Sequence, residues 1–515
     1  MAATVSEKIE PDARAWRVAL AITLVATLVR LVFAALLPLF PDETYYWDWS
    51  RHLAPGYFDH PPMIAVLIKA GTALFAPLTE MHGWSARLAI RFFPVLAGGV
   101  ATLAAAAIAR RLGGGAAART AAIVFALMPL AASGLVLATP DAPLLAASAT
   151  GLYAVVRAIQ SPLRSRASLI WWCAAGAALG LAFASKYTSI LLPLSITAAV
   201  LIRPSLRARL REAGPYFACV IAALVFLPVL SWNASHDWMS FRFQLEHGLG
   251  TPKGSALKRE LDLIGGQLGL VSPIIFAMLA HAVWKTLRRP ADDARFALAV
   301  VATGSWIFFV YSATRRSVEA NWPAPSYVPA VALLAALAHS DAHARWLRRG
   351  IVLAGLMVVV IYVHAIVPIL PLPARRDPVA RSAGWDGVAA RVDEARSARG
   401  LSDAHRWVGA DRYQDVSELA FHLSDQPPTF CTCLSGRRNQ YELWPAFPEV
   451  ARPGDALILA LDESAEVHGT VAQLVPYFSS FSRGALAPLL RGTDTVSVRR
   501  VWVMEGYRGG WPARR

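Results

Sequence analysis

The sequence predicts an all-α polytopic membrane protein with about eleven transmembrane helices, followed by a small α/β extracytoplasmic domain. The 515 residues are 56% hydrophobic and only 17% charged, with a mean hydropathy of +0.43. A soluble protein carries roughly a quarter charged residues, so this apolar excess indicates lipid as the solvent. Several apolar runs reach about 20 residues, which is enough to cross a bilayer core. From about residue 370 the chain returns to ordinary charge density, which indicates a separate domain.

The first predicted span is a retained helix rather than a cleaved signal peptide. Arg14 and Arg17 precede an apolar stretch from Val18 to Phe40 that is longer than a signal-peptide core. Together the runs divide the chain into a transmembrane domain, 1–370, and a second domain, 371–515. The predicted spans are 16–40, 86–109, 117–135, 141–158, 169–185, 187–202, 214–232, 262–284, 296–312, 326–340 and 350–370.

Alternate loops between these spans differ in charge. The loops near residues 110, 160, 207, 288 and 346 are rich in Lys and Arg, and the others are not. The positive-inside rule places the basic loops and the N-terminus in the cytoplasm, and the domain 371–515 in the periplasm of an inner-membrane protein. The net charge of +15 then meets anionic lipid headgroups. The sequence has no separate basic stripe with interleaved aromatic residues, so it does not indicate a nucleic-acid-binding protein.

The second domain carries mixed signals. Residues 385–398 are typical of a helix, whereas 455–461 and 496–504 are typical of strands. Cys431 and Cys433 form a C-x-C whose spacing is too tight for a relaxed disulfide and lacks further zinc ligands. We expect no chemistry there.

Two adjacent carboxylates, Asp42 and Glu43, begin the first outer loop, 41–85, where the first helix leaves the membrane. Carboxylates held close to lipid are costly without a function. One interpretation is general-base catalysis on an acceptor hydroxyl or amine, which makes both of them candidate catalytic residues. The other is that the pair caps the next helix or lies in the headgroup layer.

Aromatic residues and a rigid acid–imidazole pair follow in the same loop. Tyr45, Tyr46 and Trp49 are candidate substrate-binding residues that stack on a sugar ring, or else part of an interfacial aromatic belt. Asp59 and His60 precede two prolines and suit a divalent metal or a phosphate.

Lys186 stands between two apolar runs, where a lysine is costly unless it is paired or snorkels to the interface. The functional interpretation is that it clamps a lipid phosphate. His236, in another outer loop, is either a solvated residue or a metal ligand. A divalent metal, held by Asp59 or His236, is the one cofactor that the sequence suggests. The candidate phosphate-binding residues are Lys186, Tyr187, Arg315, Arg316, His60 and Arg91.

Several segments resemble one known family. The first-loop string DETYYWDWSRHLAPGYFDHPPMIA is similar to the first periplasmic loop of the dolichyl-phosphate-mannose protein mannosyltransferase superfamily. The likeness is strongest to bacterial members such as the lipid A aminoarabinose and galacturonic acid transferases. It extends over most of the chain through the segments Thr139–Pro143, Leu181–Thr188, Glu319–Ala324 and Gly436–Trp444.

The resemblance implies the C-type glycosyltransferase fold, with roughly a dozen helices and an outward-facing cavity. Members transfer a sugar from a polyprenyl phosphate with inversion, and an acidic residue of the first loop acts as the base. This favours Asp42, with Glu43 beside it, and adds Glu319, Asn321 and Trp322 as candidate substrate-binding residues. In the aminoarabinose branch a Glu-Lys-Pro segment helps to hold a metal. Here Asp59-His60-Pro61 stands at that place, so the resemblance does not carry the metal over.

The predicted function is therefore inverting transfer of a sugar from an undecaprenyl-phosphate type of donor to a periplasmic acceptor, which is lipid A, a glycan or a protein. The expected partners are this donor, membrane lipids and the acceptor. The alternative is a transporter or flippase of lipid-linked sugars. Transporters typically show inverted repeats and broken helices near the midplane. Here the polar residues concentrate in loops of one face, which favours the enzyme.

Overall fold

The computed structural model describes residues 2–78, 83–252, 254–337, 341–397, 405–434, 436–463 and 467–514. It is mostly helical with a small mixed sheet near the C-terminus, which confirms the predicted fold class. The α-helices are α1 (Ala2–Leu36), α2 (Pro41–Arg51), α3 (Met63–Phe75), α4 (Gly83–Leu127), α5 (Pro129–Gly134), α6 (Asp141–Gln160), α7 (Arg166–Phe183), α8 (Leu191–Ile202), α9 (Pro204–Arg207), α10 (Gly214–Ser235), α11 (Met239–Leu249), α12 (Ala256–Val271), α13 (Pro273–Arg288), α14 (Asp293–Arg315), α15 (Ala324–Leu337), α16 (Asp341–Ile366), α17 (Trp385–Ser397), α18 (Tyr413–His422), α19 (Phe447–Val450) and α20 (Val467–Leu474). The strands are β1 (Arg406–Ala410), β2 (Thr429–Cys431), β3 (Ala456–Asp462), β4 (Phe478–Arg491) and β5 (Asp494–Tyr507).

Within the described residues, seven helices are long and apolar enough to cross a membrane. They are α1, α4, α6, α7, α10, α14 and α16. Two further pairs qualify as spans if each bent pair is counted once. Residues Tyr187–Ile202 and Pro204–Arg211 meet at 108°, and α12 and α13 meet at 104°. The chain is therefore a multi-pass membrane protein with seven to nine such segments in the part that the structure describes.

The sequence prediction of about eleven spans differs from this count for physical reasons. Two predicted spans, 86–109 and 117–135, fall largely in α4, which is broken at Gly113 and Gly114. Gly114 has φ +74°, a conformation that glycine adopts without steric cost. The predicted span 326–340 corresponds to α15, whose 14 residues are too few to cross a bilayer core at 1.5 Å per residue.

The described chain divides into two compact units. The first comprises Met1–Leu36 and Ala54–Val363, and the second comprises Leu37–Leu53 and His364–Arg515. In the first unit, small residues let helices approach closely. A Cβ at Gly180 of α7 would lie 2.5 Å from the Cβ of Val225 in α10, so this contact requires glycine. Close packing through small residues is the usual basis of helix association in lipid.

The second unit contains a five-stranded sheet in the order β2-β1-β3-β5-β4 among its described residues. β1 pairs in parallel with β2 and β3, whereas β5 pairs antiparallel with β3 and β4. The predicted helix 385–398 is confirmed as α17, and the predicted strands are confirmed as β3 and β5. β3 is buried along nearly its whole length, which explains why its apolar run was readable.

The expectation that Cys431 and Cys433 stand too close for a disulfide is wrong. The structure joins them by a disulfide, with their Cα atoms 5.1 Å apart. Cys433 adopts a positive φ of 51°, and this turn of the chain brings the two sulfur atoms to the same side. The disulfide links the last residue of β2, Cys431, to the segment that follows it.

Helix α2 packs in the second unit although it lies close to the N-terminus. Thr44 Oγ1 lies 3.0 Å from Ser417 Oγ of α18, and Tyr45 Oη accepts a hydrogen bond from Gln440 N at 2.6 Å. The Trp47 ring meets Phe421 edge-on, with centroids 5.2 Å apart. The first of the candidate catalytic segments is therefore held by residues from the C-terminal part of the chain.

Candidate functional site

Helix α2 begins in a way that its first residues explain. Pro41 occupies the first helical position, where its fixed φ and missing N–H are favourable. Asp42 and Glu43 lie in the first turn, near the positive end of the helix dipole. The Glu43 carboxylate accepts a hydrogen bond from Phe40 N at 3.0 Å. Glu43 is also completely buried, so its side chain is part of the packed start of the helix.

Asp42 is placed differently from its neighbour. Its side chain is exposed, and its Oδ1 accepts a hydrogen bond from the Tyr413 hydroxyl at 3.2 Å. The structure thus separates two acids that are adjacent in sequence. Asp42 presents a carboxylate to solvent, while Glu43 is committed to helix capping. Of the two candidate catalytic residues, the geometry of Asp42 is the one that suits a general base.

The aromatic residues of α2 are packed rather than open. Tyr45, Tyr46 and Trp49 are all buried. The Trp49 ring lies 5.0 Å from Tyr45 and 4.9 Å from Tyr46, both edge-on. Tyr45 also packs against Tyr413, with centroids 4.5 Å apart. This arrangement favours a packing role over the predicted stacking on a sugar, which stays a prediction.

A buried acid fixes the next turn of α2. Tyr441 donates a hydrogen bond to Asp48 Oδ2 at 2.8 Å, and Arg51 lies 3.3 Å from Asp48 Oδ1. Burial raises the pKa of Asp48, and burial together with Asp48 raises the pKa of Tyr441 well above its usual value. The predicted Gly436–Trp444 segment therefore contacts α2 through Tyr441.

Further buried charges lie on and around α18. Arg499 of β5 donates to both oxygens of Asp415, at 2.9 and 3.2 Å, and ties the helix to the sheet. Glu418 is fully buried, and its Oε2 lies 3.2 Å from His422 Nε2. Burial raises the pKa of Glu418, and nearby Asp415 and Glu43 reinforce this. Burial alone would lower the pKa of His422, but its hydrogen bond to Asp386 and its contact with the Glu418 carboxyl raise it.

The first unit contains a separate polar network. Lys186 Nζ donates to Asp141 Oδ1 at 2.7 Å, and Asn321 Nδ2 donates to Asp141 Oδ2 at 2.7 Å. Lys186 follows the end of α7, Asp141 begins α6, and Asn321 lies just before α15. Three of the segments that carry the family resemblance therefore meet at one carboxylate. Lys186 is paired as well as buried, which is what a lysine at this depth requires.

Tyr187 extends this network. Its hydroxyl accepts hydrogen bonds from Asn233 Nδ2 at 3.2 Å and from Ser240 Oγ at 3.0 Å. The phenol proton remains to be donated to another acceptor. Trp322 packs against His247 and Phe309, with centroids 5.5 and 6.2 Å apart. Trp322 also lines a cavity together with Thr188 and Ser189, and Glu319 is exposed.

The other predicted phosphate-binding residues contact further parts of the chain. Arg315 donates from Nε to Leu249 O at 3.0 Å, and Arg316 packs against Gly250, so both meet the end of α11. Arg91 is completely buried and donates to Ala34 O at 2.9 Å, which ties α4 to α1. The backbone oxygen of His60 accepts from Tyr57 N at 3.2 Å in a turn of the first outer loop.

The two predicted metal ligands, Asp59 and His236, contact different residues. Asp59 is buried, and its backbone oxygen accepts from Gln244 Nε2 at 2.6 Å. His236 stacks on Trp232 at 4.1 Å, and its Nδ1 lies 2.8 Å from Trp232 O. Within the described residues, no group of three or more His, Cys, Asp or Glu side chains could hold a metal ion. The residues present there do not fit a metal centre.

Asp141 and Tyr413, which the structure shows in contact with candidate site residues, had no role assigned from the sequence. Asp141 lies in the segment Thr139–Pro143, and an acid at the mouth of one span with a lysine at the mouth of another was the available signal. Tyr413 carried no comparable signal, because its partner Asp42 is 371 residues away in sequence.

Comparison with known proteins confirms the predicted resemblance. Residues 59–232 match the family model described as dolichyl-phosphate-mannose-protein mannosyltransferase. The lipid A galacturonosyltransferase RgtD of Rhizobium johnstonii is 30% identical over 289 residues, which are 56% of this chain and 58% of that protein. The match thus spans less than two thirds of that relative's length.

Solved structures show the same fold. ArnT from Cupriavidus metallidurans, in a crystal structure with bound undecaprenyl phosphate, aligns with a TM-score of 0.63. The alignment covers 94% of this chain and 97% of ArnT at 17% identity. The Archaeoglobus fulgidus oligosaccharyltransferase, crystallised with Zn and sulfate, aligns with a TM-score of 0.52 over 90% of this chain and 72% of that one, at 13% identity. At these identities the likeness is one of fold.

Proposed function

We propose that this chain is an inner-membrane glycosyltransferase that transfers a sugar from a polyprenyl-phosphate donor to an acceptor on the periplasmic side. The observation that carries the proposal is the exposed Asp42 carboxylate at the start of α2. The neighbouring Glu43 carboxylate instead caps the helix by accepting a hydrogen bond from Phe40 N. The similarity to RgtD and the ArnT-like fold support it. The proposed topology keeps the N-terminus cytoplasmic and residues 371–515 periplasmic, as the loop charges favour.

The proposed chemistry needs one base and one leaving group. Asp42 takes the proton of the acceptor hydroxyl or amine while the acceptor atom forms a bond to the anomeric carbon. The bond from that carbon to the phosphate oxygen breaks, and polyprenyl phosphate leaves with the electron pair. Attack opposite to the leaving phosphate inverts the anomeric configuration.

The leaving phosphate needs stabilisation because negative charge develops on it. In the first unit, Lys186 supplies a cation whose position is set by Asp141. An ammonium has three N–H donors, so the ion pair leaves donors for a phosphate oxygen. The Tyr187 phenol is a second donor in the next residue. These two residues are our proposed phosphate contacts, whereas Arg91 and Arg315 are engaged with backbone carbonyls.

The acceptor we propose first is lipid A, because RgtD is named for that acceptor. The same assay would reveal a glycan or a protein acceptor. It also identifies the donor sugar. The assay therefore starts from a panel of undecaprenyl phosphates that carry galacturonic acid, aminoarabinose or mannose.

The test uses the full chain purified in detergent, with each radiolabelled donor and with lipid A, an oligosaccharide or a Ser/Thr peptide. We expect label to move to one acceptor, and Asp42→Asn to reduce transfer by at least about 1,000-fold, within the range for loss of an essential acid or base. Asp494→Asn, at an exposed acid that is the first residue of β5, serves as the matched control. Transfer that survives Asp42→Asn would contradict the base assignment. After reconstitution of the same protein into lipid vesicles, movement of intact donor across the bilayer without any transfer would support the flippase alternative instead.

A further inference from the structure

Tyr413 occupies a special place in the sheet of the second unit. It is the first residue of α18, and only two residues separate it from the carboxyl end of β1. β1 has β2 on one side and β3 on the other, so the chain runs outward from β1 to β2 and then crosses back to β3 on the opposite side. In α/β sheets the carboxyl end of a strand at such a switch point is where functional residues gather.

Tyr413 is also held in one position. Its ring is 9% exposed and lies 4.5 Å from the ring of Tyr45 in α2. The Arg437 guanidinium covers the ring, 4.6 Å from its centre. The ring contact with Tyr45 and the cation–π contact with Arg437 hold the Tyr413 ring and therefore the direction of its hydroxyl. That hydroxyl lies 3.2 Å from Asp42 Oδ1.

We infer that Tyr413 is a positioning residue for the Asp42 carboxylate, supplied by the C-terminal domain. The inference rests on the proposed function of Asp42 as the base. The phenol donates to Oδ1 and so orients the carboxylate that takes the acceptor proton. A hydrogen bond to the ionised form favours that form, so Tyr413 keeps Asp42 ready to act as a base at lower pH.

Other charged groups near this contact act on it in both directions. Glu43 on the same helix and Asp415 on α18 are acids that both interact with Glu418. Arg437 over the Tyr413 ring, Arg499 beside Asp415 and His422 beside Glu418 provide positive charge. Each of these groups is retained when only the Tyr413 hydroxyl is removed. The variant Tyr413→Phe therefore isolates the hydrogen bond.

The first experiment is the pH profile of kcat/KM for sugar transfer by the full chain. We expect Tyr413→Phe to move the acidic limb to higher pH by about half a unit to one unit, since a hydrogen bond to a charged group is lost. The KM for the donor stays unchanged. Tyr441→Phe is the matched control, because it also removes a phenol that bonds α2, but at Asp48. Equal shifts in both variants, or no shift in Tyr413→Phe, would overturn the inference.

The second experiment does not depend on activity. The Tm of the detergent-purified protein is measured at pH 7.5 for Asp42→Asn, Tyr413→Phe and the double variant. If the two side chains are coupled, the double variant loses less than the sum of the single losses. Additive losses would contradict the contact itself. Coupling without any sugar transfer in the wild type would sink the proposed function while leaving the contact in place.

Discussion

Lys186 and Asp141 form an ion pair inside the first unit, with Nζ 2.7 Å from Oδ1 and with 9% and 14% of their side chains exposed. Asn321 donates to the second carboxylate oxygen at 2.7 Å. The carboxylate therefore has both oxygens engaged, and the ammonium has its counter-charge in place. This relationship separates two properties of Lys186, its contribution to stability and its contribution to phosphate binding, which can be tested independently.

Asp141→Ala should destabilise the protein, because it leaves a buried ammonium without its counter-charge. The expected loss is about 3 to 5 kcal/mol in the free energy of unfolding. It is measured as a fall in Tm of the detergent-purified protein. The exposed pair Lys258–Asp262 provides the control, with side chains 75% and 61% exposed. Asp262→Ala should change stability by less than about 1 kcal/mol. Similar falls for both variants would contradict the importance of the buried pair.

Lys186→Ala should weaken use of the donor more than use of the acceptor, because the ammonium is proposed to contact the donor phosphate. The expected drop in kcat/KM for the donor is at least about 10-fold, the effect of losing one charge-assisted hydrogen bond. The readout is steady-state transfer with the donor and the acceptor varied in turn. The double variant Lys186→Met with Asp141→Asn should recover stability without recovering donor use. Equal effects on donor and acceptor would argue against a phosphate contact.

The free energy of unfolding should decrease as pH rises because the buried Asp411 carboxyl loses its proton. Burial, reinforced by Asp415, raises the pKa of Asp411 to about 6. Arg412 and Arg499 oppose this shift. A raised pKa means that the stabilising contribution is complete below the ordinary value of 3.8 and is lost as pH rises through about 6.

Asp411→Asn removes this titration. Above about pH 6 the variant should be more stable than the wild type by about 2 to 3 kcal/mol, whereas the two should converge towards pH 4. Tm measured in detergent from pH 4 to pH 8 gives the comparison. Asp494→Asn is exposed and should run parallel to the wild type throughout. A Tm difference that is constant over this range would count against the buried carboxyl.

The thiols give a chemical test of the disulfide. Cys431 and Cys433 are joined, whereas Cys173 and Cys219 are free. Protein denatured without reductant should therefore take up two maleimide labels, and protein treated first with dithiothreitol should take up four. Intact-mass spectrometry of the full chain counts them. Protein that is alkylated immediately after purification should also take up two labels without reductant. Four labels without reductant would exclude the disulfide.

Some parts of this molecule could be predicted from the sequence because their signal is local. The apolar run of β3 and the helical period of α17 are examples, since each element is specified by its own residues. β4 was missed, because FSSFSRGALAPLLR mixes Ser, Gly and Pro into a strand that is exposed along much of its length. The predicted spans 86–109 and 117–135 fall largely on either side of Gly113 and Gly114, whose non-helical backbone interrupts α4.

The candidate site shows the opposite limit. Asp42 and Glu43 are indistinguishable as neighbours in sequence, and only the packing of α2 decides which of them is buried. Lys186 was readable as a buried charge, but its partner Asp141 lies 45 residues away. Tyr413 belongs to a segment with no motif at all. Such pairings depend on tertiary structure, which a local pattern does not contain.

The packing of α2 with the C-terminal part of the chain has a consequence for biogenesis. Thr44 is synthesised 373 residues before Ser417, its neighbour in the folded protein. At about 5 to 20 residues per second, translation leaves α2 without these partners for roughly 20 to 70 seconds. During that time Tyr45, Tyr46 and Trp49 present an uncovered aromatic face, which the lipid headgroup region can accommodate. A chain that stops before α18 would keep that face uncovered, so loss of the C-terminal domain would disable the first loop as well.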